Sequence, residues 1–165
     1  MCIRDREKII EKLVMAKQAV DLCTSPFNQA ITYEFLRRGY LEKKLKEIVE
    51  LYRKKRDHML KMLDKHMPKI EGLKWTRPKG GLFLWVTLPT YMDSKELFMK
   101  AVEEKVAYVI GSAFHPYGKC NNSFRMNFSY PSFEQIEEGV KRLAKVILKY
   151  EEELQSSEMP TTITP

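Results

Sequence analysis

The sequence predicts an α+β fold. N-terminal helices, one of them long, precede a two-layer β-β-α-β-β-α small domain with helices on one face of a mainly antiparallel sheet. Three observations lead there. Apolar residues recur at spacings near three and four between Glu7 and Met67, the period of a helix packed along one side. Between Leu73 and Tyr130 the pattern changes to short apolar or alternating runs bounded by Gly and Pro. From Ser132 the helical period returns and holds to Leu154.

The first helix carries Ile9, Leu13, Val14, Ala16, Val20 and Leu22. It stops at Cys23-Thr24-Ser25-Pro26, because the residue before a proline is pushed out of the α region. Ser25 is positioned to cap a second helix with Pro26 in its first turn, and Gly39 offers the left-handed stop. A long helix follows, from about Tyr40 to Met67, with the stripe Leu41, Leu45, Ile48, Tyr52, Met59, Leu63 and Met67. Pro68 and Gly72 end it.

Leu73–Arg77 and Leu82–Leu88 then read as a hairpin around Pro78-Lys79-Gly80-Gly81. Asp93 or Ser94 caps a short helix over Lys95–Lys105, with Leu97, Phe98, Ala101 and Val102 facing inward. Val106–Ile110 is expected as a short strand, residues 111–122 as a loop, and Ser123–Tyr130 as a strand. Ser132 and Gln135 form a capping box for the last helix, whose inner stripe is Phe133, Ile136, Val140, Leu143, Ile147 and Leu154. The expected organisation is therefore a patternless start at 1–6, helices over 7–67, a small domain over 68–154 and a polar, disordered tail over 155–165.

Composition narrows the function classes. The 165 residues, 44% hydrophobic and 31% charged, suit a soluble chain with one principal core. No apolar run approaches the ~18 residues of a membrane span. Three scattered cysteines make neither a disulfide framework nor a metal knuckle, and with no secretory leader they favour a cytoplasmic location. The net charge of +7 raises nucleic acid as a partner. Over half of that excess lies on the 40–67 helix, where acidic side chains are interleaved, so a solvated basic surface is the preferred reading.

Nucleophile elbows, phosphate loops and dinucleotide fingerprints are missing from the sequence. His58 and His66 are eight residues apart, about 80° off a shared helical face, which argues against a metal pair. His115 stands in a loop without a partner in sequence. Cys23 and Cys120 lack any catalytic context. Gly80-Gly81 is explained by a turn that needs positive φ.

Two strands carry more. Leu82–Leu88 is apolar on both faces and so expects cover on the second face as well. In Ser123–Tyr130, Phe124, Met126, Phe128 and Tyr130 point one way, and Ser123, Arg125, Asn127 and Ser129 the other. Arg125 is thus a guanidinium mounted on a stiff strand, a two-pronged donor suited to a carboxylate or phosphate. On composition alone, a solvent-facing arginine on the wet side of a half-buried strand is the preferred alternative.

Four segments resemble a known family. Ala16-Lys17-Gln18 with Cys23-Thr24-Ser25-Pro26-Phe27-Asn28-Gln29 resembles the stretch after the cofactor lysine of class I/II (fold-type I) pyridoxal-phosphate-dependent aminotransferases. Arg77–Trp85 resembles the family's P-x-G-G-x-F-x-W hairpin. Val106 to Phe114 resembles the V-x-x-x-P-G-x-x-F loop, with Ile110 where the family has Pro. Ser123-Phe124-Arg125-Met126-Asn127-Phe128-Ser129 resembles the R-L-x-F-S strand. The resemblance spans about Glu7 to Leu154 and corresponds to the C-terminal portion. It is nearest to the subgroup acting on 2-aminoadipate, kynurenine and aromatic amino acids.

That resemblance implies amino-group transfer between an amino acid and a 2-oxo acid, with pyridoxal 5'-phosphate as cofactor and a homodimeric enzyme. It implies that Arg125 binds the substrate α-carboxylate, with Gly80, Gly81 and Asn127 nearby. It also implies that Thr24 and Ser25 lie near the partner subunit's cofactor. The family's cofactor lysine, pyridinium-pairing Asp and phosphate ligands lie upstream of the region present, and Lys17 is not the lysine position. The chain is therefore expected to be a fragment with no catalytic residue of its own, inactive alone, with no metal, nucleic acid or membrane partner. The alternatives are a non-enzymatic aminotransferase-like regulator domain and a basic nucleic-acid-binding module.

Overall fold

The computed structural model describes residues 7–158. The expected patternless start and most of the expected tail lie outside them. The described residues form five α-helices, four short strands and one 3-10 turn: α1 Glu7–Val20, α2 Pro26–Arg37, α3 Tyr40–His66, β1 Lys74–Trp75, β2 Phe83–Thr87, α4 Ser94–Glu103, β3 Val109–Ile110, the turn Gly111–Phe114, β4 Ser123–Asn127 and α5 Phe133–Glu158. The chain divides into two compact units, at Glu47 and Ile48.

The first unit holds α1, α2 and the start of α3. Pro26 opens α2 as its composition demands, but Ser25, at the cap position, makes no side-chain cap bond. Gly39 follows at φ +69, in the left-handed region where glycine is free of the Cβ penalty. None of the residues in α1 or α2 is buried. The apolar stripes expected on these helices stay open: Val20 of α1 is 86% exposed, and Ile31 and Tyr33 of α2 are 53% and 64% exposed.

The second unit carries the core. Its sheet runs β1-β2-β4-β3 and every pairing is antiparallel. Trp85 pairs with Arg125 at the centre of the β2–β4 ladder, and Val109 pairs with Arg125 from the other side. One sheet face, with Leu84, Val86, Phe124 and Met126, joins a single buried cluster with Met59, Met62 and Leu63 of α3, Leu97 and Ala101 of α4, and Ile136, Val140, Leu143 and Ile147 of α5. Burying each large apolar side chain contributes about 1.5–3 kcal/mol, so this face anchors the unit.

Several expectations are corrected. Only the C-terminal half of the α3 stripe is buried; Leu41 and Leu45 are 40% and 49% exposed. Val102 of α4 is exposed, and Phe133 lies at the surface with its ring edge-on to His58 at 5.2 Å. The strand expected over Val106–Ile110 shrinks to two residues because Lys105 turns at φ 59, its amide bonded back to the Val102 carbonyl. α5 runs to Glu158, past the expected end at Leu154.

Capping follows the sequence closely. Asp93 accepts from the amides of Lys95 and Glu96, closing the first turn of α4. Ser132 and Gln135 make the reciprocal bonds of a capping box at the start of α5.

Candidate functional site

The candidate site lies on the face of the sheet opposite the core. Alternation along β2 turns Leu84 and Val86 into the core and leaves Phe83 and Trp85 on the other side. The same alternation along β4 buries Phe124 and Met126 and leaves Arg125, half-buried, beside Trp85. Phe83 is 37% exposed, so the second face of this strand keeps apolar surface open.

The Arg125 guanidinium carbon lies 3.9 Å from the centre of the Phe83 ring and 4.5 Å from that of Phe114. Phe114 in turn meets Trp85 edge-on, 5.5 Å between centres. A cation set over aromatic faces is held by their quadrupoles and by stacking. Among the described residues no carboxylate pairs with Arg125, although thirteen ion pairs occupy other charged side chains. Its planar fork of donors is therefore available, on a rigid strand, to an anion from outside.

Phe114 is brought there by close backbone packing. A Cβ on Gly111 would lie 2.7 Å from the carbonyl oxygens of Cys120 and Ser123, so only glycine lets the 3-10 turn approach β4 this closely. The hairpin turn before β2 is held from α3: Arg56 donates to the Lys79 carbonyl oxygen at 2.7 Å, and Arg77 pairs with Asp64. Gly81 adopts φ +82, and both Gly80 and Gly81 have open space where a side chain would stand.

Asn127 lies two residues beyond Arg125 on the same face. Its Oδ1 accepts from the Ser129 amide at 2.6 Å, from the Ser129 hydroxyl at 2.8 Å and from the Tyr130 amide at 3.1 Å. That oxygen therefore builds the turn that ends β4. Lys55 reinforces the same turn by donating to the Ser129 carbonyl oxygen at 2.7 Å.

Thr24 and Ser25 belong to the first unit. The Thr24 hydroxyl donates to Asp21 and accepts from Lys17, and the Gln29 side-chain Nε2 donates to the Thr24 carbonyl oxygen. Lys17 and then Thr24 hydrogen-bond the Asp21 carboxylate and hold its pKa below the usual value. A shallow hollow lined by Thr24, Asn28, Gln29, Thr32, Tyr33 and Leu36 adjoins this cluster. Among the described residues, no three His, Cys, Asp or Glu side chains are grouped to hold a metal ion, and no helix is long and apolar enough to cross a membrane.

Sequence reasoning singled out Arg125 but not its aromatic contacts. Phe83 was within reach, since period-two alternation and strand register put it on the face of Arg125. Phe114 closes the loop motif, but a 3-10 turn leaves no periodic signal that would place its ring beside Arg125.

Residues 6–143 match the family model described as aminotransferase class I and II. The chain belongs to this family. The aromatic-amino-acid aminotransferase 1 of Thermococcus litoralis is 49% identical over 138 residues, covering 84% of this chain and 33% of that protein. Among solved structures, the α-aminoadipate aminotransferase LysN of Thermus thermophilus, complexed with N-(5'-phosphopyridoxyl)-L-leucine, is 38% identical. It aligns at a TM-score of 0.75, covering 87% of this chain and 36% of its own. A more distant relative is the HTH-type transcriptional regulator NorG of Staphylococcus aureus, 30% identical over 144 residues, 87% of this chain and 31% of the regulator. The aminotransferase-family chain thus spans about a third of the length of the relatives it matches.

Proposed function

We propose that this chain forms the C-terminal part of a pyridoxal-phosphate-dependent aminotransferase. In that enzyme Arg125 grips the α-carboxylate of an amino acid or 2-oxo acid while the amino group is transferred. The observation that carries the reading is the unpaired guanidinium of Arg125, held on the non-core face of the sheet between strands β2 and β3. A bidentate arginine–carboxylate pair fixes both the position and the plane of the acid group. Holding the substrate so that its α-C–H bond has one orientation contributes through lowered entropy of the reacting pair. Gly80 and Gly81, which have no side chain to obstruct approach, would let the substrate pass close to the hairpin backbone, and the free Nδ2 of Asn127 would face the same side.

Pyridoxal phosphate supplies an electron sink for carbon-centred chemistry when bound. As a complete cradle the described residues do not fit it. Thr24 is already bonded to Asp21 and Lys17, and a phosphate there would meet the Asp21 carboxylate. In this proposal Thr24 and Ser25 are peripheral contacts toward the cofactor of a second subunit in a homodimer, and the groups that anchor the cofactor come from the part of the enzyme upstream. In this proposal the small domain alone has no transaminase activity.

The likeness to NorG supports a second reading, in which the same domain senses a carboxylate ligand inside a regulator without turning it over. Kinetics separate the two. In the intact protein, Arg125→Lys is expected to raise KM for the amino acid by at least tenfold and to lower kcat, because a point charge cannot hold both oxygens in one plane. Unchanged kinetics would remove Arg125 from the substrate site. An intact protein with no transaminase activity toward any amino acid, yet with carboxylate binding lost in the variant, would favour the regulator.

A further inference from the structure

We propose that Phe83 and Phe114 are positioning residues for Arg125. Their rings cover the guanidinium π faces, so that the nitrogen edge is what an incoming carboxylate meets. The inference rests on the proposed role of Arg125 and goes beyond it, assigning the orientation of the guanidinium to two residues from two different elements.

The observations converge from β2, β4 and the 3-10 turn. At 3.9 Å from the Phe83 ring centre, the guanidinium carbon is in van der Waals contact with the ring. Phe83 is the diagonal cross-strand neighbour of Arg125, two residues along β2 from Trp85, its direct partner. Phe114 arrives from the opposite edge, following β3, and its ring is braced edge-on by Trp85. No acidic side chain among the described residues does this work, so Arg125 is oriented without its charge being neutralised. An aspartate in that place would orient it equally well but would compete with the substrate. An arginine carries its five N–H donors in the guanidinium plane. Covering its faces with rings costs none of them.

The test has two arms. In the chain itself, the Arg125 Nε–Hε proton, observed by 15N-correlated NMR, is expected to be shifted by ring currents away from the free-arginine position. Phe114→Leu is expected to return it most of the way, and Phe114→Tyr to leave it in place. Titration with sodium acetate is expected to move the same resonance in the wild type and to do so at several-fold higher acetate in Phe114→Leu. In the intact enzyme, Phe114→Leu is expected to raise KM for both amino acid and 2-oxo acid about tenfold with kcat within about twofold, and Phe114→Tyr to restore it.

A wild-type Arg125 resonance at the free-arginine position overturns the clamp outright. So does an unchanged KM in Phe114→Leu alongside a raised KM in Arg125→Lys, a result that leaves the substrate role of Arg125 standing. An Arg125→Lys enzyme with wild-type KM removes the role on which the clamp rests. Should Phe114→Leu fail to fold, Phe83→Leu is read by the same resonance.

Discussion

Gly111 and Ser123 lie so close that no side chain fits between them. A Cβ at position 111 would meet the Ser123 hydroxyl and, at 2.7 Å, its backbone carbonyl oxygen. Gly111→Ala is therefore expected to push the 3-10 turn off β4. It should destabilise the small domain by roughly 1–3 kcal/mol, the range for overpacking a tight contact. The denaturant midpoint should fall with an unchanged slope. Because Phe114 rides on that turn, the Arg125 Nε–Hε resonance should move as well. A variant with wild-type midpoint and resonance would mean that the turn does not need this approach.

The buried tyrosines give a signature at alkaline pH. Burial, then the bond that its hydroxyl donates to Glu96 at 2.7 Å, pushes the Tyr150 phenol up to about 12. Burial and the charge of Asp93 push Tyr108 up as well; its hydroxyl donates to the Ser94 carbonyl oxygen at 2.8 Å and its ring stacks on Phe124 at 4.0 Å. An unfolded tyrosine ionises near 10. The folded state holds these protons more tightly, so their stabilisation is complete below about pH 10 and declines above it, the Tyr150 part being lost as pH rises toward about 12. Thermal unfolding between pH 9 and 12 should show this decline. Tyr150→Phe should flatten part of it while costing about 1 kcal/mol at neutral pH for the lost hydrogen bond. An equally steep decline in the variant would place the effect elsewhere.

Leu63 is fully buried within the core cluster, on the C-terminal half of α3. Leu63→Ala is expected to cost about 2–5 kcal/mol, the transfer term plus the cavity left behind. Leu45→Ala, on the same nominal stripe but 49% exposed, should cost well under half as much. Equal losses in chemical denaturation would contradict the division of that helix into a packed and an open half.

Most of the fold was legible because its signals are local. Asp93, Ser132 and Gln135 announce helix starts through hydrogen bonds that two or three residues can make by themselves. The alternation from Ser123 onward places Arg125 and Phe124 on opposite faces without knowledge of the rest, although the strand stops at Asn127, short of the expected Tyr130, which is 92% exposed. What stayed hidden depends on contacts distant in sequence. The apolar periods of α1 and α2 predict a buried face, yet those faces stay open, since periodicity reports that a face is apolar and not what covers it. Lys105 at positive φ, which shortens β3, breaks a residue preference and leaves no pattern to read. Phe114 reaches Arg125 only through the close approach allowed by Gly111.

In the proposed reading the cofactor lysine lies outside this chain, so pyridoxal phosphate should not label the protein at one position. Incubated with the cofactor and reduced with borohydride, the protein is expected to give only scattered, sub-stoichiometric modification of exposed lysines by peptide mass mapping. A single stoichiometric label, at Lys17 or any other lysine, would contradict the assignment of this chain to the substrate-carboxylate side of the enzyme.

The most direct measurement is a crystal structure of the intact enzyme with an unreactive amino-acid analogue. Both carboxylate oxygens are expected within about 3 Å of the Arg125 terminal nitrogens, the distance of a charge-assisted pair. A carboxylate held by a different cation, with Arg125 left facing water, would contradict the reading at its centre.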